Sequence, residues 1–481
     1  MPWYIIVLLV IFSLIAAFIT YILINALIAK NKRTVSDESR KNVNEETLNI
    51  YVSKLQKMLR CKTVYSEDNQ YKDEFIKFQD VLKQEFPLLH KKGELKIFDG
   101  CLVYKVEGKN ATKNILLMSH HDVVLDEGEW ELPAFEAQIK DGSIYARGSI
   151  DTKTPLFAEL QALEELLEEN YEFDGFNVYI ASSNSEEVGG PGIVLAKDYW
   201  LENNIHFDVI LDEGGAIVEK QMPGVKNKSA MIAVHEKGRH SFKCVSKPLI
   251  SGHTGLNPVK DNPVERMSYF IKDVKKSKIF KKSFSKEVEE LFINHAPYMP
   301  YALRILFSNF KIFRGLILFI LPRVSPVIEA MLSTTMSFTK INTNDNKEVE
   351  AIAYFRCVRK ETLEKELVEF NKIAKKYSIE VSADLVDYCT PSNSDMENYK
   401  LVKKVLNKNF PDVIVSPFLL TAGTDARRLW EVSDTILRFA PIDLDSKQYK
   451  SIHNPNEHIK INNIGECVLF YKDFIKEYKG Q

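Results

Sequence analysis

The chain has 481 residues, of which 45% are hydrophobic and 27% charged, with 64 lysines and arginines against 66 aspartates and glutamates and a formal net charge of -2. That length exceeds one ordinary core and implies two packed domains with additions, while the near-neutral balance argues against nucleic acid as a partner. The six cysteines, Cys61, Cys101, Cys244, Cys357, Cys389 and Cys467, are scattered singly, which excludes a dense disulfide framework or a thiolate zinc site.

From Met1 to Ala29 no side chain is charged. The apolar segment 3–29 predicts a transmembrane helix, since roughly 20 residues suffice to cross a bilayer. Trp3 and Tyr4 suit one interface and Lys30, Lys32 and Arg33 the other, and the positive-inside rule puts the large domain of this single-pass membrane protein on the cytoplasmic side. A cleaved signal peptide is the alternative; it fits poorly, because no basic stretch precedes the apolar run and the run is too long. Residues 30–46 read as a polar tether.

From 47 to 235 helical patterns alternate with the short strands NILLMS, FNVYIASS and FDVILDEGG. This predicts an α/β catalytic-type domain with a largely parallel sheet. From 236 to 389, strands such as RHSFKCVS and EVEAIAYFRCV, with the helical ETLEKELVEFNKIAKKY, predict an inserted small α+β domain. Inside it, PYALRILFSNFKIFRGLILFILPRVSPVIEAML is apolar but interrupted by Arg304, Lys311, Arg314 and Arg323, which predicts a buried or membrane-skimming helix pair rather than a second span. The lysine-rich DVKKSKIFKKSFSK at 273–286 reads as a solvated face, with contact to anionic lipid as the alternative. After Pro391 the α/β pattern resumes, so 390–481 completes the larger domain.

In parallel sheets ligands gather beyond the C-terminal ends of strands. All three strands named run directly into candidate ligands: His120 and Asp122, Glu186 and Glu187, Asp212 and Glu213. Alternation places His120 and Asp122 on one face and His121 on the other. Two adjacent buried glutamates repel, and a divalent metal would supply the compensating charge. GSIDTK adds Asp151 and SIHNPNEHI adds His453. Imidazole and carboxylate donors without thiolates suit catalytic zinc, with cobalt or manganese as substitutes.

Taken together, MSHHDVV, W-x-x-P-x-F with YARGSIDTK, SEEVGG, LDEGG, SGHTG, GTDARR and IHNPNE resemble the M20 family of metallopeptidases, closest to its carboxypeptidase S and N-acyl amino acid hydrolase branch. The resemblance implies a zinc-exopeptidase-like catalytic domain carrying an inserted ferredoxin-like lid or dimerisation domain, and a possible homodimer. It further implies two zinc ions bridged by Asp151, with His120 on one and Glu187 plus His453 on the other. The remaining ligand comes from LDEGG, as Glu213 or its neighbour Asp212. Glu186 would be the general base, Asp122 the residue orienting His120, and His253 the stabiliser of the oxyanion. Arg427 would grip a substrate carboxylate, with Arg428 as competitor, and His121 would be structural.

The implied activity is hydrolysis of the amide bond in small peptides or N-acyl amino acids with a free carboxylate. Departures from the family pattern are Ser119, Leu125, Ala146, Thr152 and Ser185, and the lack of N-V-x-P ahead of Arg356. None removes a ligand or the base, but several lie close to the site and leave substrate preference and metal affinity open. A catalytically silent metal-binding protein, or a membrane-surface scaffold with the same fold, is the competing reading.

Overall fold

A computed structural model describes residues 2–68, 70–249, 262–344, 347–388 and 390–479; His253, the SGHTG segment and Cys389 lie outside the described residues. The strand Lys109–Met118 lies inside a ten-stranded sheet and buries its last four residues. Asp174–Ser182 and Val209–Asp212 flank it in parallel. Beyond Val209–Asp212 come Ile436–Arg438, Ser229–Glu236, Ile217–Val218 and Asp443–Leu444, while Ile414–Leu420 pairs alongside Ser229–Glu236.

The expected largely parallel sheet is corrected here to a mixed one, with five parallel and four antiparallel pairings among the described residues. The centre is parallel. Antiparallel pairs flank it on both sides, as where Glu94–Phe98 turns straight back into Cys101–Val106, though the edge strand Asp443–Leu444 is again parallel to its neighbour. A direct turn permits only antiparallel pairing, and Asp99 (φ 45°) with Gly100 (φ 85°) supplies the left-handed pair such a turn needs. The helix Lys153–Glu168 buries every residue except Glu165 and Glu168. It is wedged between the sheet and the C-terminal helix Ile461–Glu477, where Leu156, Phe157, Leu160, Leu163, Leu166 and Leu167 enter the core and Lys153, Glu159 and Glu164 are buried with them.

The chain leaves the large sheet after Glu236 and enters a four-stranded antiparallel sheet ordered Thr335–Thr343, Val349–Cys357, Gly238–Ser246, Ile379–Asp387. Helices Pro263–Lys276 and Lys360–Lys376 cover it and close a separate core around Phe270, Phe355 and Phe370. The apolar insert does not belong to that core. Phe284, Val288, Leu291, Phe292, Phe307, Phe310, Ile317 and Leu321 join the core of the large sheet, and His295 Nε2 meets Ser229 Oγ at 2.7 Å. The span 236–389 is therefore not one compact unit, because the helices between 286 and 332 bury their apolar side on the larger domain. The helical pair Tyr301–Ser308 and Phe310–Val324 is bent by 111°.

Trp3–Lys30 is one unbroken helix, and among the described residues it is the single helix long and apolar enough to cross a membrane unaided. The segment after it is no loose tether. Ser36 N–H donates to Pro411 O at 2.8 Å, and Arg40 grips Asp412 at 2.6 and 2.7 Å and Asp443 at 2.6 Å. A bidentate, largely buried guanidinium holds geometry far better than a surface pair. Arg40→Ala should therefore make residues 34–44 markedly more susceptible to limited proteolysis and lower stability by about 1–3 kcal/mol. A cleavage pattern and urea midpoint identical to those of the unmodified chain would show that the segment is held elsewhere.

Candidate active site

Four loops converge at the C-terminal ends of the central strands. After Met118 the chain passes through Ser119 and His120, whose ring Nδ1 lies 2.9 Å from the Asp122 backbone oxygen and 3.4 Å from its carboxylate. The Asp122 carboxylate, fully buried, accepts the backbone N–H groups of both Glu186 and Glu187 at 3.1 Å. One side chain thus sets the imidazole and the glutamate loop against each other. Gly189, at φ 72°, turns that loop back, and Arg428 donates to the carbonyls of Gly189 and Gly190 at 2.9 and 2.7 Å. Arg428 is therefore a clamp on the loop.

The second pair of loops is joined by Glu457. Its carboxylate accepts from the N–H groups of Gly148 (3.1 Å), Ile150 (2.7 Å) and Asp151 (3.1 Å) and from Arg147 Nη1 (2.8 Å). Four residues earlier, His453 takes a left-handed backbone (φ 59°), with the Asn454 amide donating to Lys450 and Ile452 carbonyls. The Asp151–Thr152 peptide bond is cis, and the Thr152 hydroxyl donates to His120 O at 2.8 Å.

These loops bring His120, Asp151, Glu187 and His453 together. His120 Nε2 lies 3.0 Å from Asp151 Oδ1, and His453 Nε2 lies 3.0 Å from Asp151 Oδ2 and 3.1 Å from Glu187 Oε1. One ligand atom from each of His120, Asp151 and Glu187 falls within 4.8 Å of the others. Asp151 stands in the middle, one oxygen toward each histidine. Burial opposes protonation of His120, yet hydrogen bonds to Asp122 and Asp151 hold its pKa well above the ordinary value. Hydrogen bonds to Asp151 and Glu187 push His453 up to about 10. Burial drives Glu186 far above the carboxylate range against the opposing pull of His120, and burial with the charges of Asp151 and Asp212 does the same to Glu213. Such crowding of acids and imidazoles is the donor chemistry a divalent cation relieves, so the residues present fit a metal.

Glu213 and Asp212 part company. Glu213 lines the cavity above the cluster, whereas Asp212 accepts from the N–H groups of Glu213 (2.9 Å) and Ala426 (3.0 Å) and is spent on backbone. His121 is stacked on Phe78 at 5.0 Å with Nδ1 2.9 Å from Ser182 Oγ, away from the cluster. Ser119 donates to the buried Glu159 at 2.8 Å.

The cavity measures about 560 Å³. Its lining includes the acids and imidazoles His120, Asp151, Glu186, Glu187, Glu213 and His453 and also Leu420, Ile442, Leu444, Tyr449 and Ile452. Arg427 reaches it, but its Nε is held by Asp387 at 2.9 Å and its Nη1 by Thr424 O at 2.7 Å. Two further guanidinium groups line the cavity, those of Arg239 and Arg356. They face one another across adjacent strands, both lie over the Tyr354 ring, and neither has a carboxylate partner among the described residues. Sequence reasoning named their strands but gave neither residue a role. Two arginines ending a strand and starting another, 117 positions apart, carry no local signal of meeting; the shared signal was only that both sit on small-domain strands entering or leaving the large sheet.

Residues 116–477 match the peptidase family M20/M25/M40. A carboxypeptidase S-like protein of Dictyostelium discoideum is 29% identical over 424 residues, covering 85% of this chain and 80% of its own length. An N-fatty-acyl-amino acid synthase/hydrolase of Danio rerio is 30% identical over 416 residues, covering 81% and 79%. Among solved structures, an M20 family metallo-carboxypeptidase from Sulfolobus solfataricus superposes with a TM-score of 0.63 at 20% identity, covering 90% of this chain and 99% of that one. A dinuclear metal-binding M20 peptidase of Bacillus subtilis gives 0.55 at 11% identity, covering 90% and 98%. With three quarters of its length inside the match and the ligand-rich strand ends in place, the chain belongs to the M20/M25/M40 peptidase family and is an enzyme of the metallopeptidase type.

Proposed function

We propose that the chain is a zinc-dependent hydrolase of N-acyl amino acids or small peptides bearing a free carboxylate, anchored in a membrane by its N-terminal helix with the catalytic domain on the cytoplasmic side. The observation that carries this reading is the convergence of His120, Asp151, Glu187 and His453 on a cavity whose lining also includes apolar side chains and the guanidinium groups of Arg239, Arg356 and Arg427. Asp151 would bridge two ions, His120 and Glu213 completing one site and Glu187 and His453 the other. Bound divalent ions supply the charge that acidifies water and polarises the scissile carbonyl.

The chain's own groups do the rest. Asp122 holds the His120 ring and the glutamate loop in register. Glu186 takes a proton from the attacking water as its oxygen bonds to the carbonyl carbon, then delivers that proton to the departing nitrogen as the C–N bond breaks, leaving a carboxylate and an amine. His253 would donate to the oxyanion from the small domain, whose strand–helix–strand–strand–helix–strand succession supports a ferredoxin-like lid and, by family likeness, a dimer surface. The substrate's carboxylate would fall to Arg427 together with Arg356 and Arg239, of which Arg356 Nη1 and Arg239 Nε have no partner among the described residues. The apolar side chains of Leu420, Ile442, Leu444 and Ile452 would take the acyl chain, in keeping with the N-fatty-acyl name of the Danio rerio relative.

Metal analysis of the purified full chain after zinc supplementation should give about two ions per chain, since bridging by one carboxylate satisfies two catalytic sites. A content near zero would overturn the metal reading. Glu186→Gln should keep that content while turnover falls roughly a hundredfold to ten-thousandfold, the usual range of a general base. Glu187→Gln should instead lose metal, and unchanged kcat in the first variant would place the base elsewhere.

A site built around a carboxylate strands buried guanidinium groups when the ligand lacks one, and discrimination of roughly 10⁴-fold follows in such cases. An N-acyl amino acid should therefore be cleaved while its C-terminal amide is nearly inert. Arg356→Ala and Arg427→Ala should each raise KM and lower kcat/KM for the acid but leave the slow amide reaction almost unchanged. Similar rates for acid and amide in the unmodified enzyme would remove the carboxylate reading altogether.

A further inference from the structure

The helix Phe310–Val324 is apolar on both sides. Phe310, Ile317 and Leu321 face the core of the large domain. The opposite stripe, Ile312, Leu316, Phe319, Ile320 and Val324, continued by Val327 at the start of the helix Pro326–Leu332, is between 41% and 65% exposed. Spacings of three and four residues put the five side chains from Ile312 to Val324 on one face, and Val327 follows beyond the extended Ser325. A helix that is apolar all round is ordinarily enclosed, and an exposed patch of this kind marks an interaction surface.

Its place relative to the N-terminal helix identifies the partner. Asn309, immediately before the helix, donates to Ile22 O at 3.1 Å and accepts from the Asn25 amide at 3.1 Å. Ile22, Ala26 and Ala29 are the buried residues of the N-terminal helix, so protein contact begins at Ile22. Residues 3–21 stand free, roughly 28 Å of helix at about 1.5 Å per residue, against a hydrocarbon core of about 30 Å. The protein body therefore starts where the bilayer core ends, and the apolar stripe starts at that same level. Lys311 and Arg314 are exposed beside the stripe and Arg323 lies over the Phe319 ring within it, each on a long stem of the kind that lets a charge reach headgroups while its methylenes stay among apolar groups.

We propose that the helix Phe310–Val324 and the first turn of Pro326–Leu332 lie in the bilayer interface, the stripe from Ile312 to Val327 embedded among lipid chains, so that the enzyme rests on the membrane at two places. This rests on the reading of Trp3–Lys30 as a span. The occupant of the stripe is lipid, and a second copy of the chain is the outcome that would exclude it.

The test uses the full chain in phosphatidylcholine vesicles, with an environment-sensitive dye on one introduced cysteine at a time: Phe12→Cys, Phe319→Cys, Val327→Cys and, as a water-facing reference, Lys372→Cys. The five described native cysteines are buried, and the unsubstituted chain gives the background labelling. Emission at 12, 319 and 327 should be blue-shifted and quenched by lipids bearing a spin label on the acyl chain, while the dye at 372 should stay water-like and unquenched. Quenching at 12 with water-like emission at 319 and 327 overturns the proposal and leaves the span intact. Blue-shifted emission at 319 that spin-labelled lipid does not quench also overturns it, in favour of a protein partner. Water-like emission at 12 removes the span itself, and this proposal with it.

Discussion

The geometry of the site depends on one buried carboxylate. Glu457 has no exposed surface, and an ionised group in that position is tolerable only if its oxygens are saturated with donors. It achieves this with Arg147 and the backbone N–H groups of Gly148, Ile150 and Asp151, all more than 300 residues away in sequence. The loop that presents Asp151 is thereby fastened to the segment that presents His453. Asp122 repeats the arrangement on the other side, closing two N–H groups of the glutamate loop while lying behind His120. The cluster is held by carboxylate-to-backbone bonds, which fix main-chain position more tightly than packing of side chains alone would.

Much of this was legible in the sequence, and for a physical reason. Short apolar runs that end in His, Asp or Glu announce a strand end, and the glycines after SEEV and LDE announce a turn; His120, the Glu186–Glu187 pair and the Asp212–Glu213 pair were singled out as candidate ligands that way. The choice between Asp212 and Glu213 was not legible. Both follow the same strand, and the difference lies in the N–H of Ala426, which only the folded chain brings to Asp212. Glu457 was quoted within IHNPNE but nothing local marks a carboxylate whose partners are hundreds of residues upstream. The tether from 30 to 46 looked merely polar, because Arg40 finds Asp412 and Asp443 only when the C-terminal part of the large domain has folded. The apolar insert between 286 and 332 was visible as apolar, while the core it joins was not.

The pairing of Arg239 with Arg356 is the least economical contact in the cavity. Like charges directly opposed across strands destabilise a sheet, and their stacking over Tyr354 offsets only part of this. Two half-buried guanidinium groups on facing positions, with Arg239 Nε and Arg356 Nη1 unbonded among the described residues, add positive charge to a cavity that a cluster of acids also lines.

Arg427 connects these charges to the arrangement of the two sheets. It belongs to the large domain, and Asp387, which holds its Nε, ends the last strand of the small one. A ligand carboxylate that claims this guanidinium does so in competition with Asp387, so filling the cavity and loosening the joint between the sheets draw on the same nitrogen. On the proposed carboxylate reading, occupancy and interdomain freedom would then be two readings of a single exchange equilibrium, with the aspartate as an internal surrogate for the ligand.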